Sequence, residues 1–309
     1  MIKEVISTLA LVIMPISVPV IAGVLLTRFM GMEIKALLTV VLYVLAPAMV
    51  FANLSTVQIT FTELSRVAMF FAINATLMWA ISFAAGKILR LPDAGRAGLS
   101  LIATLTNAVN YGLPLVQLAY GQAGLEKAAV LVVFMLIFTN TMGVYFAARS
   151  NFSVRQAIVA IFKLPAIYAV FLALLLRFTG LSLPSGLNKG VNMLAGAHSP
   201  IMLTVLGAQM ARVKNKALGG DRQLMFYSGL GLRMLVSPVV AFFVLNILRV
   251  EGILFPVLLI LASMPVAVNA GVLAENFDAA PDVVSKCILW TTLSSFVALP
   301  VLISLVSLI

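Results

Sequence analysis

The sequence predicts an all-α membrane protein of ten transmembrane helices in two inverted five-helix repeats, with helices 4 and 9 broken. Three observations predict it. Of 309 residues, 62% are hydrophobic and only 10% are charged, where an ordinary soluble domain carries about 25% charged residues. The apolar residues fall into ten runs, each near the roughly 20 residues that a helix needs to cross a bilayer. Three short motifs recur in order, each pairing a run with the fifth run after it.

The composition excludes a soluble enzyme, a disordered chain and a nucleic-acid-binding domain. The net charge of +10 comes from twenty Lys and Arg against ten acids, scattered between apolar runs. Such an excess marks cytoplasmic loops in a membrane protein rather than a nucleic-acid footprint. There is one cysteine, Cys287, and one histidine, His198. No internal disulfide, metal set or cofactor motif follows from them.

The spans can be taken in order. Span 1 covers 5–27. It is too long for the 7–15-residue apolar region of a signal peptide, no small-residue cleavage site follows, and Arg28 closes it. Span 2 covers 34–54 and holds Pro47-Ala48-Met49-Val50. Span 3, 64–88, carries Asn74 as a neutral polar residue. Span 4, 97–119, contains Thr104 to Pro114, and span 5 covers 124–147. Span 6, 156–176, ends on Arg177-Phe178-Thr179-Gly180, as span 1 ends on Arg28-Phe29-Met30-Gly31. Span 7, 187–211, holds Pro200-Ile201-Met202-Leu203, the counterpart of the span 2 motif. Span 8, 224–248, carries Arg233. Span 9, 253–274, repeats Ala108-Val109-Asn110-Tyr111-Gly112 as Ala267-Val268-Asn269-Ala270-Gly271, and span 10 covers 283–307.

The three matches have offsets of 149, 153 and 159 residues. Five spans per unit is an odd number, so the second unit inserts upside down, an arrangement common among secondary transporters. The repeats are residues 1–150 and 151–309, joined in one membrane unit. The connections leave no room for a soluble domain of more than about a dozen residues. Thirteen Lys and Arg fall on the odd-numbered connections and six on the even-numbered ones with the N-terminus. The odd connections are then cytoplasmic and both termini lie outside.

Spans 4 and 9 carry the chemistry. Each places Asn, Gly and Pro at mid-span. Pro removes a backbone donor and crowds the carbonyl four residues back, and Gly lowers the cost of unwinding. Freed backbone groups must face protein or a polar cavity, and matched broken spans are a pointer to a transport site. Half-helix N-termini at mid-membrane have unpaired N–H groups and partial positive charge, which suits anions. Asn110 and Asn269 add neutral amide donors. None of the ten carboxylates lies at the centre of a span, so a cation carrier built on a buried acid is the weaker reading.

Three ionisable residues have two readings each. Arg233 sits about ten residues into span 8, roughly 15 Å deep. It is either a counter-charge for a substrate carboxylate or a side chain that snorkels to the headgroups. His198, beside Pro200, is either a proton carrier or a structural hydrogen-bonding group. Glu275, at the cytoplasmic end of span 9, is either a solvated loop acid or a gating or proton-coupling group.

The run Asn107-Ala108-Val109-Asn110-Tyr111-Gly112-Leu113-Pro114 resembles the auxin efflux carrier family, in its bacterial branch of malate and malonate permease-like proteins. Lys163-Leu164-Pro165, Ser199 to Leu203 with Leu206-Gly207, Arg233 with Pro238, Met264 to Asn269 with Leu273-Ala274-Glu275, and Thr291 to Ser294 extend the resemblance along the chain. It implies the fold shared by bile-acid symporters and sodium–proton antiporters. There, helices 4 and 9 unwind and cross at Pro-containing breaks, an organic anion binds beside the crossing, and helices 1, 2, 6 and 7 form a scaffold. Carried over, Asn107, Asn110 and Pro114 match the helix 4 element, and Pro265 and Asn269 the helix 9 element. Tyr111, Gly112 and Gly271 complete the candidate binding set. Plant members have a long loop between helices 5 and 6 and an acid in helix 3. This chain has a short connection near 148–155 and no such acid.

The expectation is therefore a carrier for small organic anions such as dicarboxylates or auxin-like carboxylates, working by alternating access in a bacterial cytoplasmic membrane. The alternative is a sodium-coupled symporter of the bile-acid type. Candidate partners are the anion, the lipid bilayer, a coupling proton or sodium ion and a second copy in a homodimer. Nucleic acid is not among them. A membrane enzyme would need paired acids, a Ser/His pair or a metal set at membrane depth.

Overall fold

The computed structural model describes residues 9–57, 59–148, 162–213 and 218–306, together with residues 7 and 159. The described residues form helices and one isolated pair of extended residues. In chain order the helices are α1 (Ala10–Met30), α2 (Ile34–Thr56), α3 (Phe61–Ile88), α4 (Asp93–Thr104), α5 (Ala108–Ala147), α6 (Pro165–Thr179), α7 (Ser185–Arg212), α8 (Gly220–Ile247), α9 (Leu254–Ala262), α10 (Val268–Phe277) and α11 (Pro281–Val306). Seven of them, α1, α2, α3, α5, α7, α8 and α11, are long and apolar enough to cross a membrane. Large apolar side chains such as Val18, Phe29, Phe171 and Phe243 stand exposed on their outer faces, a surface that suits lipid. The 150/151 boundary, the first residues of span 6, and Lys3, Arg149, Arg155, Lys214 and Lys216 lie outside the described residues.

Local sequence explains the helix ends. Gly31 and Gly180 close α1 and α6 in the left-handed conformation, with φ of 62° and 69°, where a side chain costs most. The recurring Arg-Phe-x-Gly motif is thus a helix C-cap in both places. A capping box starts α3: Thr60 Oγ1 accepts from the Glu63 N–H at 3.1 Å, and the Thr60 N–H donates back to Glu63 at 2.9 Å. At Gly121 the backbone leaves the helix (φ 65°, ψ −159°), so α5 is two arms with a turn between them, matching the end of span 4 and the start of span 5.

Prolines reshape the long helices without breaking them. Pro15, Pro47, Pro114 and Pro238 each follow a five-residue π-turn: Leu9–Ile13, Val41–Leu45, Ala108–Gly112 and Leu232–Val236. The N–H of the residue before the last three of these prolines bonds five residues back: Ala46 to Val41, Leu113 to Ala108 and Ser237 to Leu232. Pro cannot donate and crowds the carbonyl four residues before it, and a wider turn relieves both problems.

The helices pack as two groups. In one, α7 lies along α1 and α2, and α2 along α6. Gly23 and Gly207 set the α1–α7 distance: a Cβ at either would fall 1.9 Å from a backbone carbonyl oxygen of the other helix, that of Thr204 or Val20. In the other group α3 packs on α4 and α8, α9 on α5 and α8, and α11 on α4, α8 and α10. Fully buried side chains in this second group include Leu99, Leu101, Leu115, Leu258 and Val283.

Candidate functional site

Two chain breaks meet at the centre of the second group. After α4 the backbone turns extended at Leu105 (φ −93°, ψ 105°) and re-enters a helix after Asn107. After α9 it leaves the helix at Ser263 and re-enters at Val268, with Ala267 extended (φ −66°, ψ 141°). The two extended stretches pair antiparallel at Thr106 and Val266. The Asn107 N–H donates to the Pro265 carbonyl at 2.8 Å, and the Ala267 N–H to the Leu105 carbonyl at 2.9 Å. The Val266 N–H donates to Thr291 Oγ1 of α11 at 3.1 Å. Each broken segment thus satisfies backbone groups of the other, as an apolar surrounding requires.

The first break differs in detail from the sequence expectation. Gly112 and Pro114 do not lie in it. They sit in the π-turn and first turn of α5, where Pro has no donor to lose. The interruption falls on Leu105-Thr106-Asn107. Gly112 serves a close approach instead: a Cβ there would come 2.7 Å from the Leu261 side chain of α9. In the second break Pro265 lies in the unwound stretch itself.

Arg233 ties the two breaks together. It lies in the π-turn of α8 and is 1% exposed, so it does not snorkel to the headgroups. Its Nη1 donates to the Ala103 carbonyl at 2.8 Å, and its Nη2 bonds both Ser237 Oγ and the Ala262 carbonyl. Ser237 Oγ also donates to the Ala262 carbonyl at 2.8 Å. Ala103 and Ala262 stand at the C-terminal ends of α4 and α9. Each end carries roughly half a negative charge, so one guanidinium matches two helix ends. Among the described residues Arg233 Nε and Asn74 Oδ1 of α3 have no hydrogen-bond partner, and both residues line a cavity of about 30 Å³ beside the crossing.

The other expected residues scatter around this core. Asn107 is buried, and its Nδ2 has no partner among the described residues. Asn110 is half-buried and Asn269 exposed. Tyr111 is fully buried; its hydroxyl accepts from Ser295 of α11 at 3.4 Å and its ring lies beside Phe296. Gly271 and Glu275 line a cavity of about 560 Å³ between the end of α7, α10 and the start of α11, with Gln209, Arg212, Val268 and Ser285. Asn110 and Asn269 lie outside that lining. His198 is fully buried in α7, in the other helix group from the crossing, and neither ring nitrogen has a partner among the described residues. Sequence reasoning missed Thr106, Val266 and Ser237. Only Ser237 had a visible signal, a hydroxyl one helical turn after a buried-depth arginine.

A family model described as membrane transport protein matches residues 149–303. An uncharacterized transporter of Methanothermobacter thermautotrophicus is 27% identical over 263 residues, 84% of this chain and 85% of its own. An uncharacterized transporter of Methanocaldococcus jannaschii is 26% identical over 276 residues, 86% of this chain and 87% of its own.

Proposed function

This chain belongs to the membrane transport protein family, that of the auxin efflux carriers, and from that premise we propose that it is a secondary carrier of small organic anions. The carrier crosses the membrane ten times, in two inverted repeats of five. Span 4 is α4 with the first arm of α5, span 5 is the second arm, and span 9 is α9 with α10. Paired breaks at corresponding places in the two halves support this reading.

One observation carries the choice of an anion. The crossing brings four helix ends to one place. The two negative ends, those of α4 and α9, are matched by Arg233. The two positive ends, those of α5 and α10, face no buried carboxylate from the described residues of the crossing. Together they offer about one positive charge, in an apolar setting where charge interactions are strong. A carboxylate of the substrate is the group that fits. Asn107, Asn110 and Asn269 supply amide donors near those ends. Tyr111, Gly112, Pro114, Pro265 and Gly271 shape the backbone around them. Arg233 is a fixed internal charge in this reading, leaving the substrate to the helix ends. The cavity that reaches Val268, at the start of α10, gives access from one face.

The test is labelled malate uptake into proteoliposomes at a clamped potential, with neither sodium nor a pH gradient. Saturable, potential-dependent uptake is expected. At equilibrium each translocated charge shifts the concentration ratio roughly 50-fold per 100 mV, from about 2.3 kcal/mol. Asn110→Ala and Asn269→Ala should each cut uptake at least tenfold while the protein inserts normally. Wild-type uptake in both variants would overturn the site. Uptake that appears only with sodium would favour the bile-acid type of symport.

A further inference from the structure

We propose that Asn53 and Thr56 of α2, with Gln122 and Glu126 of α5, form a gate that shuts the carrier at one face while the 560 Å³ cavity stands open at the other. The proposal rests on the reading of this chain as an alternating-access carrier.

The four residues lie on the seam between the two helix groups. Gln122 Nε2 donates to Asn53 Oδ1 at 3.2 Å, and Thr56 Oγ1 donates to Glu126 Oε1 at 3.1 Å. Residues 53 and 56 share one face of α2, and 122 and 126 share one face of the second arm of α5, by the three- and four-residue spacing of a helix. Asn53 is held for this contact: its Nδ2 donates to the Met49 carbonyl at 2.8 Å, which leaves Oδ1 for Gln122.

Each side of the seam is fastened to its own group. Arg177, at the end of α6, donates to the Val57 carbonyl just past α2. Lys127, beside Glu126, pairs with Glu63 of α3 at 2.8 Å. The groups can therefore part along the seam without breaking either tie. Side-chain hydrogen bonds suit such a surface, because water replaces them at small net cost when it opens. A packed apolar surface would resist wetting.

At the other end of the same groups the helices stand apart. The cavity lies between Gln209 and Arg212 of α7 on one side, and Gly271, Glu275 and Ser285 of α10 and α11 on the other. One face closed by hydrogen bonds and the opposite face open across the same division is the geometry of one end state of a rocking carrier.

The test reads the cavity, not transport. In a Cys287→Ala background, Ser285→Cys is a reporter labelled by a membrane-impermeant maleimide from the cavity face. Two pairs weaken the seam independently: Asn53→Ala with Thr56→Ala, and Gln122→Ala with Glu126→Ala. Both should move the population toward the state in which the seam is open and the cavity shut. Labelling should slow by roughly fivefold or more in each. Unchanged or faster labelling overturns the gate, as does a change confined to one pair, which marks local packing. The labelling needs no substrate, so its failure bears on the gate alone. Absence of malate uptake by the unmodified protein bears on the carrier reading alone.

Discussion

Arg233 concentrates the residue-scale chemistry. A buried guanidinium needs compensation, and here it comes from backbone carbonyls at two helix ends together with one serine. Hydrogen bonds to a charged group contribute about 1.5–3 kcal/mol each. Arg233→Met keeps much of the volume and removes every donor, so it should destabilise the protein by about 3 kcal/mol or more. Arg233→Lys keeps the charge, but its compact ammonium lacks the planar fork that spans two carbonyls, so it should fall in between. Thermal unfolding in detergent checks the order. A Met variant as stable as the unmodified protein would remove Arg233 from its structural role. The sequence made this residue conspicuous by its depth alone. Its partners, Ala103 and Ala262, are backbone groups on two other helices, and no side-chain pattern announces a carbonyl. The same reason hides Thr106 and Val266, which matter for their backbone pairing.

At the scale of elements, length and punctuation made most helices legible, and the finer breaks were not. Pro and Gly at mid-span marked the right two spans. In span 4, however, Pro114 produces a π-turn and the chain unwinds at Leu105-Thr106-Asn107, where nothing local demands it. What holds that stretch extended is its partner: two hydrogen bonds to the other broken segment and the fixed helix ends on Arg233. Thr291 adds a third support, from α11 to the Val266 N–H. Its hydroxyl also donates to the Cys287 carbonyl at 2.6 Å, so it fills both its roles inside the bundle. Thr291→Val keeps the shape and leaves the Val266 N–H buried without a partner, which costs about 1–3 kcal/mol. Thr291→Ser should recover most of the loss. Hydrogen exchange at Val266 gives the sharper reading, since faster exchange in the Val variant alone ties the loss to the crossing. Equal exchange in all three proteins would mean that the crossing holds without α11.

For the whole molecule, the question is how a chain whose described residues hold seven helices long and apolar enough to cross a membrane would make the ten crossings proposed above. The difference would lie in the broken segments and in α6. Twelve residues of α4, nine of α9 and ten of α10 are each too short to span about 30 Å at 1.5 Å per residue. In the proposed topology α9 and α10, joined through their break, together reach from one face to the other, and α4 does so with the first arm of α5. That joining would put the connection before α9 and the one after α10 on opposite sides of the membrane. The excess of Lys and Arg on the odd-numbered connections then predicts the direction, Glu251 outside and Asn276 inside. Single cysteines in a Cys287→Ala background separate the cases. Glu251→Cys should react with an impermeant thiol reagent in intact cells, and Asn276→Cys only after the membrane is opened. The reverse pattern would keep ten crossings and invert the orientation. Reaction of both from the same side would mean that α9 and α10 do not cross. With them would go the inverted repeat, the opposed helix ends and the anion site that depends on them.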